Sequence, residues 1–223
     1  MNNNNNISVV LLGAGKSKRL NNKELKQNII INKKRIIDYS REFFSKYFKD
    51  SNIYLVINKK VIIGKKNKNE CVLLGSSSRA KSLSCAMKYI YNNNLETKYI
   101  LIHDVARPVL NINNVNDLIK SIKPGIDASS LGYPITNATK EVCNKNISNS
   151  IDKQNLWSAF TPQLFLSDKL YKSLNYVLNH KYDVEDDIEA LLINKYSCKM
   201  VMSSPDNIKV TYESDIEVVK RLL

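Results

Sequence analysis

Tyr99-Ile100-Leu101-Ile102-His103-Asp104-Val105-Ala106-Arg107-Pro108 decides the fold of this chain. The apolar run Tyr99-Ile100-Leu101-Ile102 reads as a short buried strand, and Pro108 forces the backbone out of it. Asp104 and Arg107 then stand at the carboxyl end of that strand, where open α/β sheets hold their ligands. Charges there are costly unless they meet a partner, a metal or a phosphate, so the stretch marks a site as well as a strand.

Working outward, Ile7-Ser8-Val9-Val10-Leu11-Leu12 is a second apolar, β-branched segment. It runs into Gly13-Ala14-Gly15 as a central parallel strand runs into a ligand loop. A basic loop through Gln27 follows. Ile36, Ile37, Phe43, Phe44, Tyr47 and Phe48 recur with helical spacing, and residues 53–57 form the next strand. The pattern repeats with a strand at 71–74, the turn Gly75-Ser76-Ser77-Ser78, and a helix carrying Ala80, Leu83, Met87 and Ile90 on its apolar face.

Beyond Pro108, a helix near 115–122 leads to a strand near 128–131. Residues 133–155 then lose the alternation and read as an inserted arm. Leu166, Leu170, Leu174, Val177 and Leu178 form one helical face, and Ile188, Leu191 and Leu192 a shorter one. A late strand at 199–202 and a closing helix through Ile216, Val219 and Leu222 end the chain. Strands alternating with helices predict a doubly wound α/β fold on a mostly parallel sheet.

A length of 223 residues suits one such domain, 1–223, with the arm as its excursion. The formal net charge of +13 raises nucleic-acid binding, but the basic residues are scattered among Asn and Ile, not gathered in a stripe, so no nucleic-acid partner is expected. Cys71, Cys85, Cys143 and Cys198 have no Cys-x-x-Cys spacing, and there are two histidines, which argues against structural zinc and for reduced, mostly buried thiols. No run approaches the roughly 20 apolar residues of a membrane span, and Asn2 to Asn6 resemble no signal peptide. A cytoplasmic protein without membrane contact is expected.

Gly15-Lys16-Ser17 has the ending of the nucleoside triphosphatase phosphate loop, but the first Gly of that motif would fall at position 10, which is Val10. Small residues still let backbone N–H groups approach phosphate oxygens, with Lys18, Arg19 and Lys26 supplying positive charge.

Gly13-Ala14-Gly15-x-x-x-Arg19, Lys26-Gln27, Arg79-x-x-Ser82, His103-Asp104-x-Ala106-Arg107-Pro108, Leu156-Trp157, Thr161-Pro162-Gln163 and Asp206-Asn207-Ile208-Lys209-Val210-Thr211 occur in that order. The ordered set resembles the 2-C-methyl-D-erythritol 4-phosphate cytidylyltransferase family, from about Val9 onward. Ribitol-5-phosphate cytidylyltransferases share most of it, but Ala106 and Leu156-Trp157 look more like the methylerythritol branch.

The resemblance implies a Rossmann-like nucleotidyltransferase fold with a dimerisation arm, CTP and a polyol phosphate as substrates, Mg²⁺ as cofactor, and a homodimer. It implies a nucleotide set of Gly13, Ala14, Gly15, Lys16, Gly75, Ser82, Asp104 and Ala106. Arg19 and Lys26 match the cations that stabilise the pentacoordinate phosphorus, and Asp104 the acid associated with magnesium. Arg107, Thr161 and Lys153 fall near the sugar phosphate, and Lys209 matches a lysine reaching the transferring phosphate. Singly, Ser82, Lys209 and Thr161 have bland readings as a helix surface, a solvated strand end and a Pro turn.

Such chemistry explains why no Ser-His-Asp set appears. The nucleophile is a phosphate monoester, largely dianionic at neutral pH because its second pKa is about 6. What remains is in-line placement and charge neutralisation, which is work for Arg, Lys and Mg²⁺. His103 is therefore read as structural. The chain departs from the family pattern at Leu25, Ser17, Ala138 and Lys153, which replace Pro, Gly, Thr and Arg. The last two lie on the arm, where Lys keeps the charge of Arg but loses its planar fork.

Overall fold

The computed structural model describes residues 6–15, 24–93 and 95–223. The chain runs through β1 (Ile7–Gly13), a 3-10 turn (Lys26–Asn28), β2 (Ile30–Ile31), β3 (Lys34–Arg35), α1 (Ile36–Tyr47), β4 (Ile53–Ile57), β5 (Glu70–Leu74) and α2 (Arg79–Asn92). It continues with β6 (Tyr99–Asp104), α3 (Ile112–Ser121), β7 (Ala128–Pro134), β8 (Thr139–Cys143), β9 (Asn146–Ile151) and β10 (Trp157–Leu166). The last elements are α4 (Ser167–Asn179), α5 (Asp187–Ile193), β11 (Cys198–Met202) and α6 (Glu213–Leu222).

The main sheet has the order β11-β7-β10-β6-β1-β4-β5. β10 is antiparallel to both its neighbours, and the remaining pairs are parallel. β1 is buried along its whole length because it is flanked by β4 and β6 and covered on both faces. Its side chains alternate between two cores, as a pleated strand requires. Val9 and Leu11 pack with Ile37 and Phe44 of α1 and Val115 and Leu118 of α3. Val10 and Leu12 pack with Leu83 and Met87 of α2, Leu170 and Leu174 of α4, and Leu191 of α5. A smaller third core joins Ile29, Ile31 and Ile36 to Val210 and Val219, which brings the segment before α6 back against the 3-10 turn.

The predicted helices and parallel strands are present, with α3 beginning at Ile112 and β7 extending to Pro134. Three features differ from the sequence reading. β10 lies where no strand was predicted, because Thr161-Pro162-Gln163 breaks its pattern: the ladder with β7 shifts register between Phe160 and Gln163, and Pro can donate no ladder hydrogen bond. The Thr161-Pro162 peptide is cis. The arm is an antiparallel hairpin of β8 and β9 whose register shifts between Glu141 and Val142, exposed along β9, and β2 with β3 makes another. Both turn through Asn-Lys at positive φ, Asn32-Lys33 and Asn144-Lys145, without the Gly that makes such turns legible. The cysteines are free as expected, but Cys143 is exposed and the other three only partly covered, so the expectation of mostly buried thiols fails.

Candidate active site

β1 and β6 end side by side, and the loops that leave them form the floor of a cleft of about 190 Å³. The loops that follow have left the strand ladder, so polar side chains help to satisfy their backbone. Gln27 does this on one side: its buried amide donates to the carbonyls of Gly13 at 2.8 Å and Gly15 at 2.9 Å. Ser82 does it on the other, accepting from the Ser76 amide at 3.0 Å and donating to the Ser78 carbonyl at 2.7 Å. Ser78 also caps α2 by accepting from the Lys81 amide. Gly75 lies so close to Gly13-Ala14-Gly15 that a Cβ there would stand 2.4 Å from the Ala14 Cβ, which is why no side chain fits.

Asp104 sits at the carboxyl end of β6, 8% exposed. Lys209 donates to its Oδ2 at 2.7 Å and Arg79 Nε to its Oδ1 at 3.3 Å. Burial alone would raise this carboxyl, but Arg79 and Lys209 outweigh it and hold it far below the ordinary range. Arg79 also donates to Asp187, which is 1% exposed at the start of α5. Burial would lower the guanidinium pKa, but the two carboxylates raise it, so Arg79 is a permanent cation. Lys26 faces the same cleft from the 3-10 turn and donates to the Val210 carbonyl at 3.3 Å.

Beneath this floor, the Asp104 amide donates to Thr161 Oγ1 at 3.0 Å, and Asn207 Nδ2 donates to the Thr161 carbonyl at 2.9 Å. Arg107 donates to the Asn207 carbonyl at 2.7 Å, with its guanidinium over the Phe160 ring. Burial lowers its pKa. His103 is fully buried beside Phe44, its Nε2 at 3.0 Å from the Arg107 carbonyl. Burial depresses its pKa to about 4, so the ring is neutral at pH 7 and Nε2 carries the proton that the carbonyl accepts. The structural reading of His103 agrees with this placement.

Of the sequence-predicted residues, Ala14, Gly15, Lys26, Ser82, Asp104, Ala106 and Lys209 line the cleft together. Gly13 and Gly75 shape it from behind. Thr161 is 3% exposed and lies under the cleft, not in its lining, because its hydroxyl accepts the Asp104 amide. Ser82 is likewise no exposed helix residue but 4% exposed and committed to the 76–78 turn. Lys153 is on the exposed arm, donating to the Thr136 carbonyl of its own chain, and does not line the cleft. Lys16 and Arg19 lie outside the described residues. Sequence reasoning gave no role to Arg79, Gln27 or Asp187. Arg79 was visible in its motif, and Asp186-Asp187 before Ile188 is a helix-start signal, but their convergence is tertiary.

Over residues 7–223 the chain matches the family described as "IspD: 2-C-methyl-D-erythritol 4-phosphate cytidylyltransferase". It is 32% identical over 215 residues to the 2-C-methyl-D-erythritol 4-phosphate cytidylyltransferase of Wigglesworthia glossinidia brevipalpis, covering 94% of this chain and 92% of that one. The crystal structure of the Francisella tularensis enzyme of that name superposes with a TM-score of 0.80 at 25% identity, over 98% of this chain and 100% of that chain. The Thermus thermophilus structure, at 17% identity and TM-score 0.80 over 96% and 97% of the two chains, shares the fold.

Proposed function

This chain belongs to the 2-C-methyl-D-erythritol 4-phosphate cytidylyltransferase family, and from that premise we infer that it joins CTP to 2-C-methyl-D-erythritol 4-phosphate with release of pyrophosphate. The observation that carries the reading is the cleft itself. A single carboxylate, Asp104, stands between Arg79 and Lys209 beside a loop of small residues that admits phosphate oxygens.

The acceptor phosphate oxygen forms a bond to the α-phosphorus of CTP as the bond to the β-phosphate oxygen breaks. No residue needs to remove a proton, because the nucleophile is already dianionic at neutral pH. The chain fits that demand: Asp104 is ion-paired and His103 is neutral on a carbonyl, so neither is arranged as a base. Lys26 and Lys209 neutralise charge at the reacting phosphates, and Arg19 joins them on the family resemblance. Arg107 organises the wall on the acceptor side through Asn207.

Among the described residues, Asp104 is the one carboxylate lining the cleft, and no group of three His, Cys, Asp or Glu could cage a metal. Mg²⁺ is usually held by one or two carboxylates together with substrate phosphates, so this donor set fits an ion shared with CTP. When bound, Mg²⁺ would neutralise charge on the triphosphate. The reading also makes the protein a homodimer. An isolated two-stranded ribbon is marginal in water, and Ile147 is 70% exposed on this one, so a second copy would cover the arm and receive Lys153 at its acceptor site. The protein is placed in the cytoplasm on the same reading. No helix among the described residues is long and apolar enough to cross a membrane.

The test is pyrophosphate release from CTP with a panel of acceptors. Release should require both substrates and should be fastest with 2-C-methyl-D-erythritol 4-phosphate. Faster release with ribitol 5-phosphate, or release without any acceptor, contradicts the assignment.

A further inference from the structure

Arg79 is the first residue of α2, Asp104 the last of β6, and Asp187 the first of α5, and one guanidinium joins all three elements. It does so unequally. Its terminal NH1 is engaged by Asp187, while only Nε reaches Asp104, at the longer distance of 3.3 Å. An arginine with one carboxylate neighbour prefers a two-pronged grip that occupies both oxygens. Here the second oxygen of Asp104 is held instead by Lys209, a point charge on a flexible stem. The Nε–NH2 edge with which Arg41 grips both oxygens of Glu70 is thus not closed on Asp104, and the anchor of NH1 on Asp187 holds the guanidinium in that position.

Stability alone does not call for this arrangement. Replacing a buried ion pair with apolar side chains of similar volume is often neutral or stabilising. The neighbouring Asp186 pins the start of α5 and so keeps Asp187 where it is: it accepts from the Glu189 backbone amide and from the Gln163 side-chain amide of β10, both at 2.9 Å. Asp186, Asp187, Glu189 and Gln163 do not line the cleft, whereas Arg79 does.

We propose that Asp187 is a positioning residue which, by restraining Arg79, keeps the Asp104 carboxylate available to a divalent cation arriving with the nucleotide. The proposal rests on the reading of Asp104 given above. Without Asp187, the guanidinium swings onto both oxygens of Asp104 and competes with the cation.

The experiment measures Mn²⁺·CTP binding by isothermal titration and by water-proton relaxation, with thermal melting as a control for folding. Asp104→Asn should weaken Mn²⁺-dependent CTP binding. Asp187→Asn should weaken it about tenfold, the scale of one added charge-assisted hydrogen bond at the competing site. The double variant Arg79→Gln/Asp187→Asn should recover to within about threefold of the parent, because the competing guanidinium is gone. A purely structural role for Asp187 gives no such rescue.

Parent-like binding by Asp187→Asn, or a double variant as weak as Asp187→Asn, overturns the proposal while leaving the Asp104 reading intact. An Asp104→Asn protein with unchanged Mn²⁺-dependent binding overturns both. Should Asp187→Asn fail to fold, Arg79→Gln alone decides: binding at least as tight as the parent supports the proposal, and a loss equal to that of Asp104→Asn refutes it.

Discussion

Replacing Gly75 with Ala should damage catalysis far more than one added methyl suggests, and the structure gives the size of the effect. The added Cβ would stand 2.4 Å from the Ala14 Cβ, 3.1 Å from Ser82 Oγ and 3.3 Å from Val56 Cγ1. Carbon atoms prefer separations of about 3.5–4.0 Å, so the β1 and β5 loops must part by roughly 1 Å. Neither side can yield by turning a rotamer, since both Cβ atoms are fixed by their backbones. Overpacking of this kind costs about 1–3 kcal/mol, which for a chain of this length lowers Tm by about 2–4 °C per kcal/mol.

The catalytic cost is separate, because the displaced loops are those that hold the nucleotide in the proposed reading. A misplacement of about 1 Å can cost about a hundredfold in rate. Gly75→Ala should therefore lower kcat/KM for CTP by about 10- to 100-fold in a pyrophosphate-release assay at 25 °C, where the protein is still folded. Ala14→Gly removes the closest clashing atom, so the double variant should regain most of the lost activity. If Gly75→Ala turns over within about twofold of the parent, or if Ala14→Gly gives no rescue, the close approach of these loops does not govern the site.

Three further outcomes follow from other parts of the molecule. His103 is depressed to about 4 by burial, so the unfolded chain binds a proton between about pH 6.5 and 4 that the folded chain refuses. Stability should fall by up to about 3 kcal/mol as pH drops through that window; urea midpoints at several pH values should show a shallower slope in His103→Gln. Arg41 grips Glu70 with two hydrogen bonds at 2.7 Å, both side chains being at most 5% exposed. Arg41→Ala should cost about 3–5 kcal/mol by leaving a buried carboxylate unpaired, and a loss under about 1 kcal/mol by urea titration would count against it. Lys153→Ala should raise KM for the sugar phosphate by about tenfold, the scale of one charge-assisted contact, and leave KM for CTP unchanged. An unmoved acceptor KM means that the arm does not reach a partner's site.

The alternation of strand and helix, the carboxyl-end position of Asp104 and the loop after β1 were legible from sequence because they rest on local periodicity and on Gly and Pro chemistry. β10 was not, although it is central. Its sequence mixes Trp157, Ser158 and Ala159 with a Thr-Pro-Gln break, and it forms only because β6 and β7 already offer their edges. The arm is legible as an insertion, but not the pairing of β8 with β9 inside it, because Asn144-Lys145 turns at positive φ without the Gly that announces such a turn.

For the site, the groups themselves are written in the chain: the small-residue loop, one acid at a strand end, and cations spread from Lys26 to Lys209. Which of them meet is a matter of packing between distant elements. Thr161 went beneath the floor to accept the Asp104 amide, and Arg79 was drawn between Asp104 and an Asp187 more than a hundred residues away. No local rule foresees such pairings. The cost of burying each charge is settled only when distant elements pack and the nearest opposite charge becomes its partner.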